Sequence, residues 1–382
     1  MKIFYISPSS IPSKAANVVH VFNQVEGFVE NGYEVEVFFR RKNLFEKNLP
    51  LKISNDYDIK DKKIKFRSIF LPVNFAILAF ITLRSLKILF YKKDNLIISR
   101  NLYASLFYGI ILNKKIVYET HTLERGIKSF IQLKIIKNKK IKTVVITKAL
   151  KNIIEKKFKT SFENIFVLPD AAKSGLKIIT KDKRKKLTEF INNENFNKYD
   201  FFCGYFGHLY QGRGIEIVLE IAKYLPKTLF IISGGNKKEI DFFERMNINN
   251  NVIFKGYCSH GDVIKNSRLF DALLMPYQSN VGIGIKNSDT SKWMSPMKMF
   301  EYMSTGVPII SSDLPVLREI LEDTVNCLLS KPNDVKSWVE NIIKLKNNKS
   351  LGLEISRKAF EDYKLKYTWQ IRAKKLIEIY EK

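Results

Sequence analysis

The stretch that begins at Ser295 reads Ser-Pro-Met-Lys-Met-Phe-Glu-Tyr-Met-Ser-Thr-Gly, and its residue types suit the binding of a phosphate and a sugar. Ser295 predicts a helix N-cap with Pro296 at the first helical position, and Gly306 predicts the end of that helix. Because the first turn has no acidic residue, its free N–H groups and Lys298 can hold a phosphate. Glu301 can accept hydrogen bonds from sugar hydroxyls. An ordinary surface helix before a core strand is the alternative.

A glycine-rich loop, Gly204–Gly214, follows a predicted strand and opens a helix. Its glycines, Gly207 among them, allow the backbone to approach a ligand closely. Arg213 offers a planar set of donors that suits phosphate, and His208 adds a further donor. The spacing differs from the Gly-x-Gly-x-x-Gly fingerprint, so a nicotinamide site is not indicated. A plain strand-to-helix turn with a solvated arginine is the alternative.

Two more loops of the second half end predicted strands. Gly234 and Gly235 come directly after one strand, where they allow close approach of a ligand. The segment Phe254–His260, which includes Tyr257, resembles a loop whose backbone groups read the edge of a nucleobase. A simple turn explains either loop equally well.

In the first half, His121 follows the predicted strand Lys115–Tyr118. It can donate to a sugar hydroxyl or to a developing charge, although a structural role is the alternative. Arg100 is placed similarly after another strand. His20 lies inside the first predicted helix and is interpreted as a helix-face residue.

The sequence has no Walker P-loop, no Gly-x-Ser-x-Gly elbow and no zinc spacing, and its one Asp-x-Asp triplet, Asp56–Asp58, follows no strand.

Composition narrows the class of protein. A chain of 382 residues favours two domains, and 45% hydrophobic with 27% charged residues indicates a folded chain. The net charge of +27 favours anionic partners: nucleic acid, phosphorylated substrates or an acidic membrane face. Cys203, Cys258 and Cys327 lie far apart, which predicts a reduced cytoplasmic setting. The sequence runs from Met1 directly into a strand pattern, so no signal peptide is predicted.

The longest apolar run, Ile69–Leu83, is too short for a confident membrane span and contains a proline and an asparagine. With Arg67, Arg84 and Lys87 beside it, the run can lie in a membrane interface. A buried helix of the first domain is the alternative.

Strands alternate with helices in both halves, which predicts α/β architecture with parallel, doubly wound sheets. The predicted strands are Lys2–Ser7, Glu34–Phe39, Leu96–Ser99, Lys115–Tyr118, Thr143–Ile146, Phe201–Phe206, Thr228–Ser233, Val252–Lys255, Ala272–Met275 and Pro308–Ser311. The polar tract from Ala172 to Asp200 predicts a domain boundary. In such sheets ligands lie beyond the carboxyl ends of the strands, so the loops Pro8–Asn17, Arg100–Tyr103 and Glu119–Gly126 are candidates.

Together these residues resemble the retaining glycosyltransferases of family four, in the subgroup whose donor-site motif is Ser-Pro-Met-Lys-Met-Phe-Glu-Tyr. The segments that carry the resemblance are Pro12–His20, Tyr118–His121, Gly204–Gly214, Asn251–Tyr257, Ser295–Glu319 and Tyr367–Trp369. The resemblance implies the GT-B fold, in which two Rossmann-like domains face each other across a cleft. It implies an acceptor-side domain at 1–172 with a crossing helix at 366–382, and a nucleotide-sugar domain at 200–365.

The resemblance also implies roles for individual residues. A UDP-, GDP- or similar sugar would contact Gly207, His208, Arg213, Gly234, Tyr257, Ser295, Met297, Lys298 and Glu301. His121, Glu301 and Arg213 would act in the reaction, and Asn17 and Arg100 would lie on the acceptor side. The sugar would pass, with retention and without metal or cofactor, to a glycan or lipid-linked glycan in bacterial surface polysaccharide or glycolipid synthesis. The enzyme would be cytoplasmic, at the inner face of the membrane.

The sequence departs from the family at several positions. The family often has two glutamates eight residues apart, and Glu301 matches the second, but Trp293 occupies the first; Asp289 is nearby but off register. His208 stands where an arginine is usual, and Ala15 and Ala16 stand where many members have glycines. A GT-B epimerase or phosphorylase is the alternative among enzymes. A basic nucleic-acid-binding protein is the alternative outside them, although no recognised nucleic-acid motif is present.

Overall fold

The structure is a computed structural model that describes residues 1–11, 13, 15–41, 53, 59, 63–70, 83–90, 95–173, 183–191, 198–258, 260–284 and 288–382. The chain divides into two compact units, which are Met1–Ser174 with Lys366–Lys382, and Gly175–Leu365. Most of the apolar run Ile69–Leu83, the Asp56–Asp58 triplet and the asparagine-rich tract at 192–197 lie outside the described residues.

The first unit contains a parallel sheet. Its described strands are β1 Lys2–Ile11, β2 Glu34–Arg41, β3 Ile64–Phe70, β4 Leu96–Ser99, β5 Ile116–Thr120, β6 Ile141–Val145 and β7 Ile165–Val167. Their order across the sheet is β3-β2-β1-β4-β5-β6-β7. The helices are α1 Ala16–Glu30, α2 Leu102–Ser105, α3 Ile127–Lys137 and α4 Lys148–Phe158, with a 3-10 turn at Ser85–Phe90 and a π-helical turn at Leu106–Ile111. Strands β4 and β5 are buried throughout, as expected of strands covered on both faces.

Strand β1 is longer than predicted, because it continues through Pro8 to Ile11. The predicted loop Pro8–Asn17 is therefore wrong over its first residues. The pairing of β1 with β2 shifts register between Ile6 and Ser10. A bulge of this kind tolerates a proline, which has no N–H to donate to the neighbouring strand.

The final helix, Trp369–Glu381, belongs to the first unit. The side chain of Thr368 caps it by accepting from the N–H of Ile371 (3.2 Å). Four apolar side chains of this helix are buried: Trp369, Leu376, Ile377 and Ile379. The helix packs on α1 at Gly27, where any Cβ would overlap the carbonyl group of Trp369.

The second unit contains another parallel sheet. Its described strands are β8 Phe201–Phe206, β9 Thr228–Ser233, β10 Val252–Gly256, β11 Ala272–Met275, β12 Ile309–Ser312 and β13 Leu328–Ser330. The helices are α5 Lys183–Ile191, α6 Ile215–Tyr224, α7 Lys237–Met246, α8 His260–Ser267, α9 Met297–Met303, α10 Val335–Asn347 and α11 Lys349–Lys366. The strand order is β10-β9-β8-β11-β12-β13.

In both sheets the strand order reverses, between β1 and β4 in the first unit and between β8 and β11 in the second. The carboxyl ends of strands at such a reversal diverge and leave a crevice, which is where ligands bind in open parallel sheets. The prediction of two doubly wound α/β halves is confirmed. Each unit therefore has one edge at which functional side chains are expected.

Candidate functional site

Two glycines bring loops together at the carboxyl ends of β8 and β9. Gly207 follows β8 with φ +148°, and its N–H donates to the carbonyl oxygen of Ser233 (2.9 Å). Gly234 follows β9 with φ +133°, and a Cβ there would overlap the carbonyl group of Gly207. A Cβ on Gly207 itself would lie 2.7 Å from Nζ of Lys298. Only glycine fits at these two positions, and both were predicted as contacts for a ligand.

Lys298 projects from the first turn of α9 toward this edge. Its Nζ lies 3.6 Å from the ring centroid of Tyr205 and 5.5 Å from that of Tyr277. Burial lowers the pKa of Lys298 well below its usual value; the nearby Arg213 lowers it further, and Glu301 partly opposes the shift. An anion that binds beside a cation held among aromatic rings, with a second cation nearby, gains a large electrostatic interaction energy.

Arg213, which belongs to the glycine-rich loop, also lies close to Tyr277. Its guanidinium carbon is 5.2 Å from the Tyr277 ring centroid, and one N–H donates to the carbonyl oxygen of Gly282 (3.1 Å). Gly212 and Gly214, with φ of +77° and +79°, lie so close to the backbone of the segment after β11 that a Cβ would overlap it. The predicted pair of cations, Arg213 and Lys298, is therefore brought together at the β8 edge.

Helix α9 begins one residue later than predicted. Pro296, in an extended conformation with φ −74° and ψ 121°, is the N-cap, and no side chain caps the helix. The prediction of Ser295 as N-cap is wrong, because the proline takes the extended position before the first helical residue, Met297. Ser295 is buried, and Glu301 is 7% exposed on the helix. Gly306 has the predicted left-handed conformation, with φ +70°, but it lies two residues beyond the C-cap, which is Ser304.

The remaining predicted donor residues of the second unit differ in exposure. His208 stacks on Tyr210, with ring centroids 4.6 Å apart and planes 4° apart. Burial lowers the pKa of His208, with Arg213 and Lys298 adding to the effect, so the imidazole is neutral at pH 7. Tyr257 follows β10 and is 57% exposed. Met297 is half-buried.

Asp289 is a structural residue of the loop before α9. Its carboxylate accepts from the N–H groups of Val281 (3.0 Å) and Ser291 (2.9 Å). Burial alone would raise the pKa of Asp289, but these backbone donors hold it below the usual value. Asp289 therefore orders the loop rather than replacing the absent first glutamate. At the family position of that glutamate, the backbone N–H of Trp293 donates to Thr290 (3.0 Å).

The first unit holds a buried cluster of charged and imidazole side chains beside its own strand reversal. Glu119, at the end of β5, has a fully buried side chain. Its Oε1 lies 2.8 Å from Nε2 of His121, 3.2 Å from Nε2 of His20 and 3.2 Å from the guanidinium of Arg372. Burial would raise the pKa of Glu119, but Arg372, His20 and His121 together hold it well below its usual value.

Arg100 joins both histidines. Its guanidinium nitrogens lie 2.8 Å from Nδ1 of His20 and 3.1 Å from Nδ1 of His121. The Arg100 side chain is 9% exposed, that of His20 is 2% exposed and that of His121 is 24% exposed. Burial lowers the pKa of His121 to about 4, with Arg100 adding to the shift and Glu119 opposing it. His121 is therefore a neutral imidazole at pH 7.

The cluster contains residues that the sequence prediction missed. His20 was interpreted as a helix-face residue, but it lies 3.1 Å from the carboxylate of Asp170 and against the ring of Trp369. Two sequence signals point to the cluster. Glu119 interrupts an apolar strand, and Arg372 occupies the buried face of the amphipathic final helix. Asn17, the other predicted acceptor-side residue, is exposed and donates to Ser9 (3.3 Å).

One described group has the composition of a metal site. His20, His121 and Asp170 each offer an atom, and these atoms lie within 4.8 Å of one another. Neutral imidazoles and a carboxylate are ordinary zinc ligands. Whether such a site can bind a cation depends on which nitrogen of each imidazole carries the proton, because only the other nitrogen offers a lone pair.

The first unit also carries a basic segment, residues 125–142, which contains no acidic residue. Its basic members are Arg125, Lys128, Lys134, Lys137, Lys139, Lys140 and Lys142. On α3, Ile127 is 82% and Phe130 71% exposed. A neighbouring hollow of about 420 Å³ is lined by Asn113, Lys115, Lys139, Lys140, Lys142 and Lys382. No described helix is both long and apolar enough to cross a bilayer.

One protein-family model matches most of the second unit. Residues 187–366 match the family model described as glycosyl transferases group 1. An uncharacterized glycosyltransferase of Methanocaldococcus jannaschii, MJ1178, is 24% identical over 194 residues, which are 50% of this chain and 50% of that protein. The chain thus matches about half the length of this curated relative.

Several solved structures resemble the whole chain. HepE of Anabaena in complex with UDP has a TM-score of 0.73 at 14% identity, over 99% of each chain. TarM of S. aureus, as a variant in complex with fondaparinux, α-GlcNAc-glycerol and UDP, has a TM-score of 0.69 at 14% identity, over 100% of each chain. These likenesses confirm the predicted fold class, with two Rossmann-like domains of the GT-B type.

Proposed function

We propose that this chain, whose second unit carries a glycosyl transferases group 1 domain, is a glycosyltransferase that takes its sugar from a nucleotide sugar. The observation that supports this most directly is the pairing of Lys298 and Arg213 around Tyr277, at the strand reversal of the second sheet. Two cations with lowered solvation, beside the closely packed glycine loops at Gly207 and Gly234, form a receptor for a diphosphate.

In the proposed reaction the nucleoside diphosphate leaves, and its negative charge grows in the transition state. Lys298 and Arg213 stabilise that charge because they are held in place before the reaction begins. The backbone N–H groups at the start of α9 contribute, and Glu301 accepts from the ribose hydroxyls. The chain supplies these positive charges itself, which is the basis for proposing transfer without a metal ion.

A donor class is proposed for the same site. HepE was solved with UDP and with UDP-glucose, which supports a uridine or similar nucleotide sugar here. Neutral His208 would donate to the diphosphate, and Tyr257 would border the base. Ser295 and Met297 would line the donor at the start of α9. We further propose that configuration is retained, with His121 contacting the donor sugar.

The acceptor is proposed to be a glycan or a lipid-linked glycan of the bacterial surface, bound to the first unit near Asn17. The TarM variant was solved with fondaparinux and with α-GlcNAc-glycerol, which supports a sugar-containing acceptor. Arg100 was predicted to contact the acceptor, but its guanidinium faces the two histidines of the cluster. Its contribution to acceptor binding is therefore proposed to be indirect.

A thermal-shift and calorimetric screen of UDP, GDP, ADP and their sugars, with chelator throughout, tests the proposed donor. We expect one nucleotide class to bind; a ligand at one hundred times its Kd adds about 2.7 kcal/mol to the free energy of unfolding. Transfer to a glycan in chelator should give a product with the anomeric configuration of the donor. Absence of any shift at millimolar nucleotide would contradict the proposal, and turnover without an acceptor would favour an epimerase.

We also propose that the protein works at the cytoplasmic face of the membrane, bound through the basic segment 125–142. Exposed Ile127 and Phe130 lie on one face of α3, since residues three apart share a face. Lysines near an anionic surface contribute roughly 1 kcal/mol each. Such a combination of apolar and basic side chains is typical of helices that lie in a membrane interface.

Sedimentation with vesicles of phosphatidylglycerol and phosphatidylcholine tests this surface. The double variant Ile127→Ser with Phe130→Ser is expected to lose most binding, and Lys139→Gln with Lys140→Gln to lose roughly 30-fold, from about 1 kcal/mol per lysine. Ile248→Ser is the matched control, because Ile248 is 79% exposed on the second unit. Equal sedimentation of all variants, or none of the wild type, would remove the membrane from the proposal.

A further inference from the structure

The two histidines of the first unit share one guanidinium. Arg100 directs separate N–H groups at Nδ1 of His20 (2.8 Å) and at Nδ1 of His121 (3.1 Å). A guanidinium has only donors, so each Nδ1 has to supply a lone pair. Because Nδ1 of each ring supplies a lone pair to Arg100, any proton that the ring carries has to be on Nε2.

The other side of each ring agrees with this assignment. Nε2 of His121 lies 2.8 Å from Oε1 of Glu119, and Nε2 of His20 lies 3.2 Å from the same oxygen. Nε2 of His20 also lies 3.1 Å from Oδ1 of Asp170. Carboxylate oxygens are acceptors, so a proton on each Nε2 meets only acceptors. A proton on Nδ1 would instead place two donors face to face with Arg100.

We propose that Arg100 is a positioning residue that holds His20 and His121 with their protons on Nε2, and thereby prevents a cluster of metal-ligand composition from binding a cation. A metal ion bound on the carboxylate side of the rings would need the lone pair of Nε2, which the protonated ring does not offer. In metal sites the second imidazole nitrogen normally donates to an acceptor, whereas here it meets a donor. Arg372 places a second guanidinium against Glu119, and its positive charge also repels a metal cation at this cluster.

This arrangement defines what His121 can do for a sugar. His121 is the more exposed of the two rings, and its Nε2 is bonded inside the unit to Glu119. A sugar hydroxyl would therefore donate to Nδ1 in exchange for Arg100, so His121 would act as an acceptor. This last step rests on the proposed function, whereas the tautomer and the exclusion of metal do not.

Histidine NMR tests the assignment without any transfer reaction. The chain has four histidines, so spectra of ¹⁵N-histidine protein can be assigned with His20→Gln and His121→Gln. We expect both rings of the wild type to show the neutral Nε2–H pattern at pH 7. A ring protonated on Nδ1, or doubly protonated, would overturn the proposal. If either variant fails to fold, His208→Gln and His260→Gln identify the other two rings and leave those of His20 and His121 by elimination.

Cobalt spectroscopy tests the exclusion of metal. The wild type is expected to show no protein-bound cobalt band, whereas Arg100→Leu should bind at least tenfold more tightly and develop visible absorption. Arg100→Lys keeps a donor and should resemble the wild type, and Arg125→Leu, an exposed arginine of the same unit, is the control. Cobalt binding by the wild type that His20→Gln abolishes would refute the role of Arg100. Transfer activity does not enter either measurement, so failure here is separate from failure of the proposed function.

Discussion

Replacing Lys298 with methionine is expected to abolish nucleotide binding at millimolar concentration and to lower kcat/KM by about 10²–10³-fold, the usual effect of removing one preorganised charge donor. Methionine keeps the length of the side chain between the rings of Tyr205 and Tyr277 but removes its charge. Arg213 would then face the diphosphate alone.

The same substitution is expected to leave the ligand-free protein equally stable or more stable. Burial lowers the pKa of Lys298, which means that the folded protein carries this charge at a cost. Replacing such a cation by an apolar side chain of similar volume removes the cost. Opposite effects on stability and on ligand binding are typical of functional sites.

Calorimetry with the nucleotide that binds the wild type, and thermal unfolding without it, separate these two effects. Lys336→Met is the control, because the Lys336 side chain is 85% exposed on α10 and forms an ordinary surface pair with Glu340. If Lys298→Met binds nucleotide as well as the control does, Lys298 is not part of a diphosphate site.

Replacing Arg372 with methionine is expected to lower the stability of the first unit by about 3–5 kcal/mol, the cost of breaking a buried ion pair from one side. Arg372 is 1% exposed, and its guanidinium lies 3.2 Å from Oε1 of Glu119. Its Nε also donates to the carbonyl oxygen of Pro169 (2.8 Å), and Gln24 accepts from a further N–H. The substitution removes a positive charge that compensates the buried carboxylate of Glu119. It also leaves the carbonyl oxygen of Pro169 and the side chain of Gln24 without this hydrogen-bond donor.

Hydrogen exchange in the final helix measures this loss locally, which is useful because the two units need not unfold together. Lys375→Met is the matched control, since Lys375 is exposed on the same helix. The double variant Arg372→Met with Glu119→Gln should lose less than the sum of the single losses, because neither charge then stays buried alone. A loss below about 1 kcal/mol for Arg372→Met would show that the pair adds little to stability.

The strands were predictable where an apolar run has clear ends. Leu96–Ser99, Phe201–Phe206, Thr228–Ser233 and Ala272–Met275 have the predicted bounds, because each is a buried run of strand-forming residues followed by polar or turn-forming ones. β1 was predicted too short, since Pro8 is a strand breaker by local rules and only its bulge against β2 explains its place. The start of α9 was misplaced for a similar reason, because Pro296 suits both the N-cap and the first turn.

The residues of the candidate sites were likewise predictable only where a local sequence pattern contains them. Lys298 and Arg213 were predictable because each lies in a local motif: Arg213 in a loop between a strand and a helix, and Lys298 in a short helix that precedes a strand. Tyr277, which both side chains approach, lies in no motif, and only the fold brings its ring close to the two cations. The cluster around Glu119 draws on α1, β5 and the final helix, so no local pattern describes it. Spacing shows that a polar residue is buried, but it does not show which distant residue compensates its charge.

The return of the final helix has a consequence for synthesis of the protein on the ribosome. The second unit is continuous in sequence, from Gly175 to Leu365, so all of its strands are available before the last residues are translated. The first unit needs Lys366–Lys382, because Arg372 neutralises Glu119 and the final helix covers α1. The half that is translated first therefore completes its folding last, and until then its buried carboxylate lacks this partner and α1 lacks its cover.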